Sequence, residues 1–218
     1  MQNSFDTKLE RGYVEPDFRH RFVGSWVYQL PFGRGKSFGQ NWNRPTDFVL
    51  GGWALSGIAV ARTGEATTAI LSFDPTNTGS FAPWPDRIHN PYDFSFGKDV
   101  QASLGCPVGH QSLQCWYNPA AFVIPALAPG QKFAHQFGNG GSGNLRGPDQ
   151  VNFDLGLMKD FRVTERHALT LRAEFFNIAN HPQFKLPSNN PDQSGGAAIS
   201  ATLPDNQREI QLGLKWSF

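Results

Sequence analysis

No stretch of this 218-residue chain is long and apolar enough to cross a membrane as a helix. The longest apolar run, near Gly51 to Ala61, falls well short of the roughly 20 residues such a helix needs. Charge is scarce: Asp, Glu, Lys and Arg make up 17% of the chain, against roughly 25% in soluble domains. The formal net charge of +1 excludes the basic footprint of a nucleic-acid-binding protein. Cysteine is nearly absent. Cys106 and Cys115 stand alone with His110 between them, and the four-ligand pattern of a structural zinc site is missing. H-E-x-x-H does not occur, and no G-x-S-x-G nucleophile elbow is indicated. Gly138 to Gly143 fits G-x-G-x-x-G by letter, but the following Asn-Leu-Arg-Gly-Pro148 cannot open a normal helix, so it reads as loop. Gly35-Lys36-Ser37 echoes the end of a phosphate loop, yet Leu30 stands where the first glycine belongs. Asp154 and Asp160 are six positions apart, roughly 20 Å along a strand and too far for paired acid–base work. No catalytic, cofactor-binding or metal-binding residues are indicated.

Aromatics are plentiful at 13%, with 19 Phe and 6 Trp, and the chain also holds 23 Gly and 16 Pro. With no helical span, this composition suits an all-β protein, either a membrane barrel or a secreted sandwich. The period-two alternation of strands marks five segments. At the end of the chain, Ile210, Leu212, Leu214, Trp216 and Phe218 share one face of a strand over 208–218. Glu209, Gln211, Gly213, Lys215 and Ser217 take the other. A strand over 18–30 carries Phe22, Trp26, Tyr28 and Leu30 on one face. A third, over 50–63, sets Trp53, Leu55, Ala59 and Ala61 against Ser56, Ile58, Val60 and Arg62, with less contrast between its faces. Over 151–163, Phe153, Leu155, Leu157 and Phe161 oppose Asn152, Asp154, Gly156, Asp160 and Arg162. Lys159 interrupts the apolar side near one end, where a long side chain can snorkel to an interface. Over 167–178, Leu169, Leu171, Ala173 and Phe175 oppose Thr170, Arg172, Glu174 and Phe176. Strands of this length match the roughly 9–11 residues of a tilted bilayer-spanning strand rather than the usual 5–6 of globular sheets.

The connections are unequal. Thr164-Glu165-Arg166 reads as a tight turn, whereas 64–150 is a long stretch rich in Pro, Gly, Asn and Asp. Compact soluble domains rarely hold such a loop, but outer-membrane barrels combine short periplasmic turns with long external loops. On that pattern the C-terminus is periplasmic and 64–150 is extracellular. The same count puts 31–49 in the periplasm, where it is long for a turn. Within the long loop, Cys106 and Cys115 either close a small disulfide, worth roughly 2–3 kcal/mol, or are unrelated thiols; their loop-like setting favours the disulfide and an oxidising compartment. The opening residues lack a basic-then-apolar signal peptide. The chain is therefore expected to be cytosolic or the C-terminal piece of a longer protein.

Asp154, Arg172 and Glu174 fall on polar faces and are candidates for a charged lumen lining. Arg172 and Glu174 either contact a solute or plug, or form a same-face ion pair that fills a polar interior; the ion pair is the favoured reading. Trp26, Tyr28, Trp53 and Trp216 suit aromatic girdles at bilayer interfaces, and would equally suit the core of a sandwich.

Several runs taken in order resemble the late barrel region of TonB-dependent outer-membrane receptors of the Oar-like group. They are Phe18-Arg-His-Arg-Phe-Val-Gly24, Leu30-Pro-Phe-Gly-Arg-Gly35, Leu50-Gly-Gly-Trp-Ala-Leu-Ser-Gly57, Leu145-Arg-Gly-Pro148 and Arg172-Ala-Glu-Phe-Phe-Asn-Ile-Ala-Asn-His-Pro-Gln-Phe184. Gln211, Gly213, Trp216 and Phe218 also fit the terminal assembly signal of outer-membrane barrels. The resemblance implies a large barrel with an N-terminal plug, driven by TonB and importing a large solute of the siderophore, glycan or peptide class. The chain lacks the plug and holds about five strands, so it resembles the open C-terminal segment of such a barrel. The partners implied are outer-membrane lipid, the barrel-assembly machinery, the remaining strands and plug, and TonB through the part not present here. The rival expectation is a secreted or surface β-sandwich that binds glycans or other partners through 64–150.

Overall fold

The computed structural model describes residues 7, 8, 10–127, 129–162, 164 and 167–218, apart from the side chain of Arg162. The opening residues Met1 to Asp6, and Val163, Glu165 and Arg166 of the expected strand end and turn, lie outside the described residues. Five long strands form one sheet: β1 (Arg21–Gln29), β2 (Trp53–Arg62), β3 (Gln150–Arg162), β4 (Ala168–Phe176) and β5 (Glu209–Ser217). They pair in chain order, each antiparallel to the next, and β1 and β5 are open edges. The sheet is an antiparallel meander that does not close on itself.

Residues directly opposite one another in a ladder share a face, so the register assigns every side chain. Trp26 meets Gly57, Gly57 meets Leu155, Leu155 meets Phe175 and Phe175 meets Ile210. Tyr28, Leu55, Leu157, Ala173 and Leu212 form the next row. One apolar face therefore runs unbroken across all five strands, and it settles the sidedness of β2: Trp53, Leu55, Ala59 and Ala61 belong to it. Gly57 is needed in the first row. A Cβ there would lie 2.6 Å from the Trp26 indole, which covers the bare backbone. Lys159 is the one charged residue on this face, opposite Trp53 and Leu171. It is 1% exposed, with its ammonium donating to the Gly51 carbonyl and lying 5.1 Å from the Trp53 ring and 4.8 Å from that of Phe161.

Two expected strands start elsewhere. Phe18 does not belong to β1 but forms an isolated bridge with Glu65. Leu50 is not in β2; it ends a short helix, α1 (Arg44–Leu50). The reason is local: the Asn43 side chain accepts from the Thr46 amide at 2.9 Å, Pro45 sits in the first turn, and the Gly51 amide closes on the Asp47 carbonyl at 2.8 Å. A capping Asn, a Pro just inside and Gly just past the end form a complete helix start and stop.

The chain divides into two compact units, of which the sheet with its β1–β2 connection is one. The other is built from the N-terminal segment up to His20, Thr63–Asp149 and Phe184–Leu203. The long connection is thus a folded body. Its regular structure is sparse: the two-residue ladders Ala66–Thr67 with Leu145–Arg146 and Asp86–Arg87 with Phe122–Val123, and a helix, α2 (Lys98–Ser103). Its core gathers Ala69, Phe94, Tyr117, Phe122, Leu145 and Ala197 around the Cys106–Cys115 disulfide, whose Cα atoms are 5.1 Å apart. Buried side-chain amides do the work of missing ladders. Gln101 donates to the Phe94 and Phe96 carbonyls and accepts from the Gly109 amide. Asn118 donates to the Asp93 and Phe96 carbonyls and accepts from the Ala120 amide.

Replacing both cysteines with serine should lower the stability of this unit by about 2–3 kcal/mol. The readout is faster limited proteolysis within 64–149, and an unchanged rate would contradict it. A second outcome concerns Asp74. Desolvation pushes its carboxyl up, but donors from Thr76, Ser80 and Thr78 outweigh that and hold it at about 2. Because the folded value lies below the ordinary one, the stabilisation is complete above about pH 4. It is lost as pH falls through about 2. A carboxyl NMR titration should place the midpoint there, and a midpoint near 4 would show that the turn donors do not hold the carboxylate.

Candidate functional site

The face opposite the apolar one is the candidate site. Its rows follow from the same register: Ser25 meets Ile58 and Ile58 meets Asp154, while Gly156 meets Glu174 and Glu174 meets Gln211. Met158 meets Arg172, which meets Gly213. A hollow of about 400 Å³ opens here, lined by Ser25, Val27, Ser56, Ile58, Asp154 and Glu174 among others. The wall is graded. At the β1–β2 end Val23, Val27 and Ile58 are exposed apolar groups; toward β5 it carries Arg172, Glu174, Gln211 and Lys215.

Asp154, Arg172 and Glu174 share this face, but their surroundings differ. Asp154 is engaged in holding the fold: one carboxylate oxygen accepts from the Asn152 side chain at 2.9 Å and the Asn177 amide at 2.8 Å. The expected Arg172–Glu174 ion pair does not form among the described residues. Each faces a glycine across the ladder, Gly213 and Gly156, so nothing crowds the two side chains together. An exposed pair of long side chains gains little from closing. Gln211 and Gly213 lie on this polar face, Trp216 on the apolar face with its ring 5.6 Å from that of His167, and Phe218 beyond β5 is 95% exposed.

The motif runs carry structural roles that spacing alone does not reveal. Asn177, 5% exposed, donates to the His181 and Asn206 carbonyls at 3.0 and 2.7 Å and accepts from the His181 amide at 3.0 Å. Gln183 accepts from the Val151 amide at 3.0 Å and donates to the Val151 carbonyl. Both residues hold the end of β4 against its neighbours, and Asn177 has the positive φ of 45° that the turn demands. Their sequence signal was an amide directly after the strand, Asn177, and a second, Gln183, directly after the His181-Pro182 pair. In the other unit, Arg146 pairs with Asp17 at 2.9 Å, stacks on Tyr13 at 4.4 Å and donates to the Asp17 and Gly64 carbonyls. Its main-chain carbonyl accepts from the Tyr92 hydroxyl at 2.9 Å. Burial raises that hydroxyl's pKa above the ordinary tyrosine value.

An open sheet with one unbroken apolar face and one graded polar face is the wall of a barrel seen from outside and inside. No curated protein and no solved structure matches the chain. A model of the outer membrane beta barrel domain matches residues 1–211. An apolar outer face is what such a barrel requires toward lipid, and the sandwich expectation gives way to the barrel family. This chain belongs to the outer membrane beta barrel domain family.

Proposed function

We propose that this sheet is the late part of a TonB-dependent receptor barrel of the Oar-like group, which imports a large solute of the siderophore, glycan or peptide class. The observation that carries the reading is the order of the family-like runs along the chain: four of the five lie at strands or strand ends of one meander, and Leu145–Pro148 forms a short ladder in the other unit just ahead of β3. In this reading the chain itself carries no catalytic step. The open edges of β1 and β5 support a larger barrel, because unpaired backbone groups in hydrocarbon cost several kcal/mol each and only closed barrels span membranes. Strands elsewhere in the parent protein supply the missing partners, and the plug fills the lumen against the graded wall. TonB acts through that other part.

Orientation follows from strand direction. The N-terminal segment and the β2–β3 and β4–β5 connections leave the strands at one end; the β1–β2 and β3–β4 connections and the C-terminus lie at the other. The short β3–β4 turn belongs in the periplasm and the long excursions outside. The assembly machinery then reads Gln211, Gly213, Trp216 and Phe218 from the periplasmic side.

Uptake of solute by cells carrying the full-length gene should stop when TonB is deleted, and uptake that persists would rule out the TonB-dependent reading. A second test addresses the two faces. Leu212→Arg, on the apolar face, should cost about 2–4 kcal/mol near the bilayer midplane. Val27→Arg, on the wet face in the row of Ser56 and Glu174, should leave insertion nearly unchanged. Equal losses in membrane-inserted protein for the two variants would remove the lipid-face assignment.

A further inference from the structure

The β1–β2 connection is long for a periplasmic turn, and its helix turns three consecutive apolar side chains outward. Phe48, Val49 and Leu50 of α1 are 51%, 59% and 49% exposed. Beside them Asp47 accepts from the Arg34 amide at 2.7 Å, and Arg34 donates its guanidinium to the Trp42 carbonyl at 2.9 Å. A seven-residue helix is marginal on its own. This one is held against the apolar face of the sheet, with the Phe48 ring 4.9 Å from that of Phe161. The Trp53 indole donates to the Val49 carbonyl at 3.0 Å. Lys159, the one charge on that face, folds its ammonium back to the Gly51 carbonyl directly after the helix. The apolar surface of α1 is therefore continuous with the lipid face at the level where Trp53, Phe161 and Trp216 supply aromatic rings and a cation sits close by. Aromatic rings with a nearby cation mark the headgroup level of a bilayer.

We propose that α1 is a membrane-surface anchor: Phe48, Val49 and Leu50 seat in the headgroup–acyl boundary of the phospholipid leaflet beside the barrel. The inference rests on the lipid-face reading of the sheet. It gives the long connection a role, pinning the β1–β2 end of the wall at a fixed depth while Lys159 and Trp53 mark where hydrocarbon stops.

The test uses the full-length protein in phospholipid vesicles. Both cysteines of this chain are joined in the disulfide, so once any cysteine in the rest of the parent protein is replaced by serine, an introduced cysteine is a single labelling site. Val49→Cys, Leu212→Cys and Ile88→Cys variants each carry an environment-sensitive fluorophore; all three parent side chains are exposed, so no packed atom is displaced. The vesicles contain phospholipids brominated near either the glycerol end or the methyl end of the acyl chain. The Val49 label should be blue-shifted and quenched most by bromine near the glycerol end. The Leu212 label should be quenched by the deeper bromine, and the Ile88 label by neither. A Val49 label that stays unquenched while the Leu212 label is quenched overturns the anchor and leaves the lipid face standing. If neither label is quenched, the lipid-face reading fails and the anchor fails with it. A Val49 label quenched most by the deep bromine overturns the surface seat.

Discussion

Every strand in this sheet must keep its register, because a slip of one residue would exchange its two faces. On one side lies an unbroken apolar surface, on the other a wet wall, and an inverted strand would put Asp154 or Glu174 into hydrocarbon. The structure pins the register with side chains at the strand ends. Arg62 donates to Gln150 at 2.7 Å across the β2–β3 pair. Gln183 takes both backbone groups of Val151 at the start of β3. Asp154 receives the amide of Asn177 beyond the end of β4, and at the opposite end Lys159 reaches Gly51 ahead of β2. In the middle, the Trp26 indole lies over Gly57, a fit that a slipped register would replace with Ser56 or Ile58.

The excursion unit obeys a different constraint. Its ladders are two residues long, so its backbone groups cannot be satisfied by sheet pairing, and buried groups left unpaired are costly. Amide side chains, the Asp74 carboxylate and Arg146 take up those donors and acceptors, while the disulfide restricts the unfolded chain. Tyr117 shows the same rule within the core. It is fully buried, yet its hydroxyl donates to the Gly196 carbonyl at 2.7 Å, and burial pushes its pKa up.

What was legible in the sequence follows from which interactions are periodic. The alternation in 208–218 and 151–163 specified strands, faces and order, because burial on one side of a pleat repeats every second residue. It could not locate α1, since Leu50 runs straight into Gly51-Gly52-Trp53 and reads as the opening of a strand, leaving Phe48 and Val49 in the connection over 31–49. The Asn43 cap and Pro45 were the signal, and they are local chemistry rather than periodicity. Nor could alternation show that 64–149 folds, because its core joins two separate segments with no common period. Asp154 was recognisable as a polar-face carboxylate, but its engagement with Asn177 depends on the chain turning back 23 residues later. The Arg172–Glu174 ion pair was expected from spacing alone, and spacing says nothing about the glycines opposite them.

Charge gives a test of the two faces that does not depend on hydropathy. At the hydrocarbon edge little water is at hand, so an ammonium on the lipid side is satisfied mainly by the protein itself. On a wet wall an isolated charge costs little, since water solvates it in place. Lys159, on the apolar face, is almost wholly withdrawn and held by a carbonyl and two aromatic rings. Arg172, one row away on the opposite face, is exposed, and neither it nor Glu174 makes a side-chain hydrogen bond among the described residues. Two cations on neighbouring strands are thus treated in opposite ways according to the face they occupy. That contrast agrees with the apolar face meeting lipid and the opposite face meeting water.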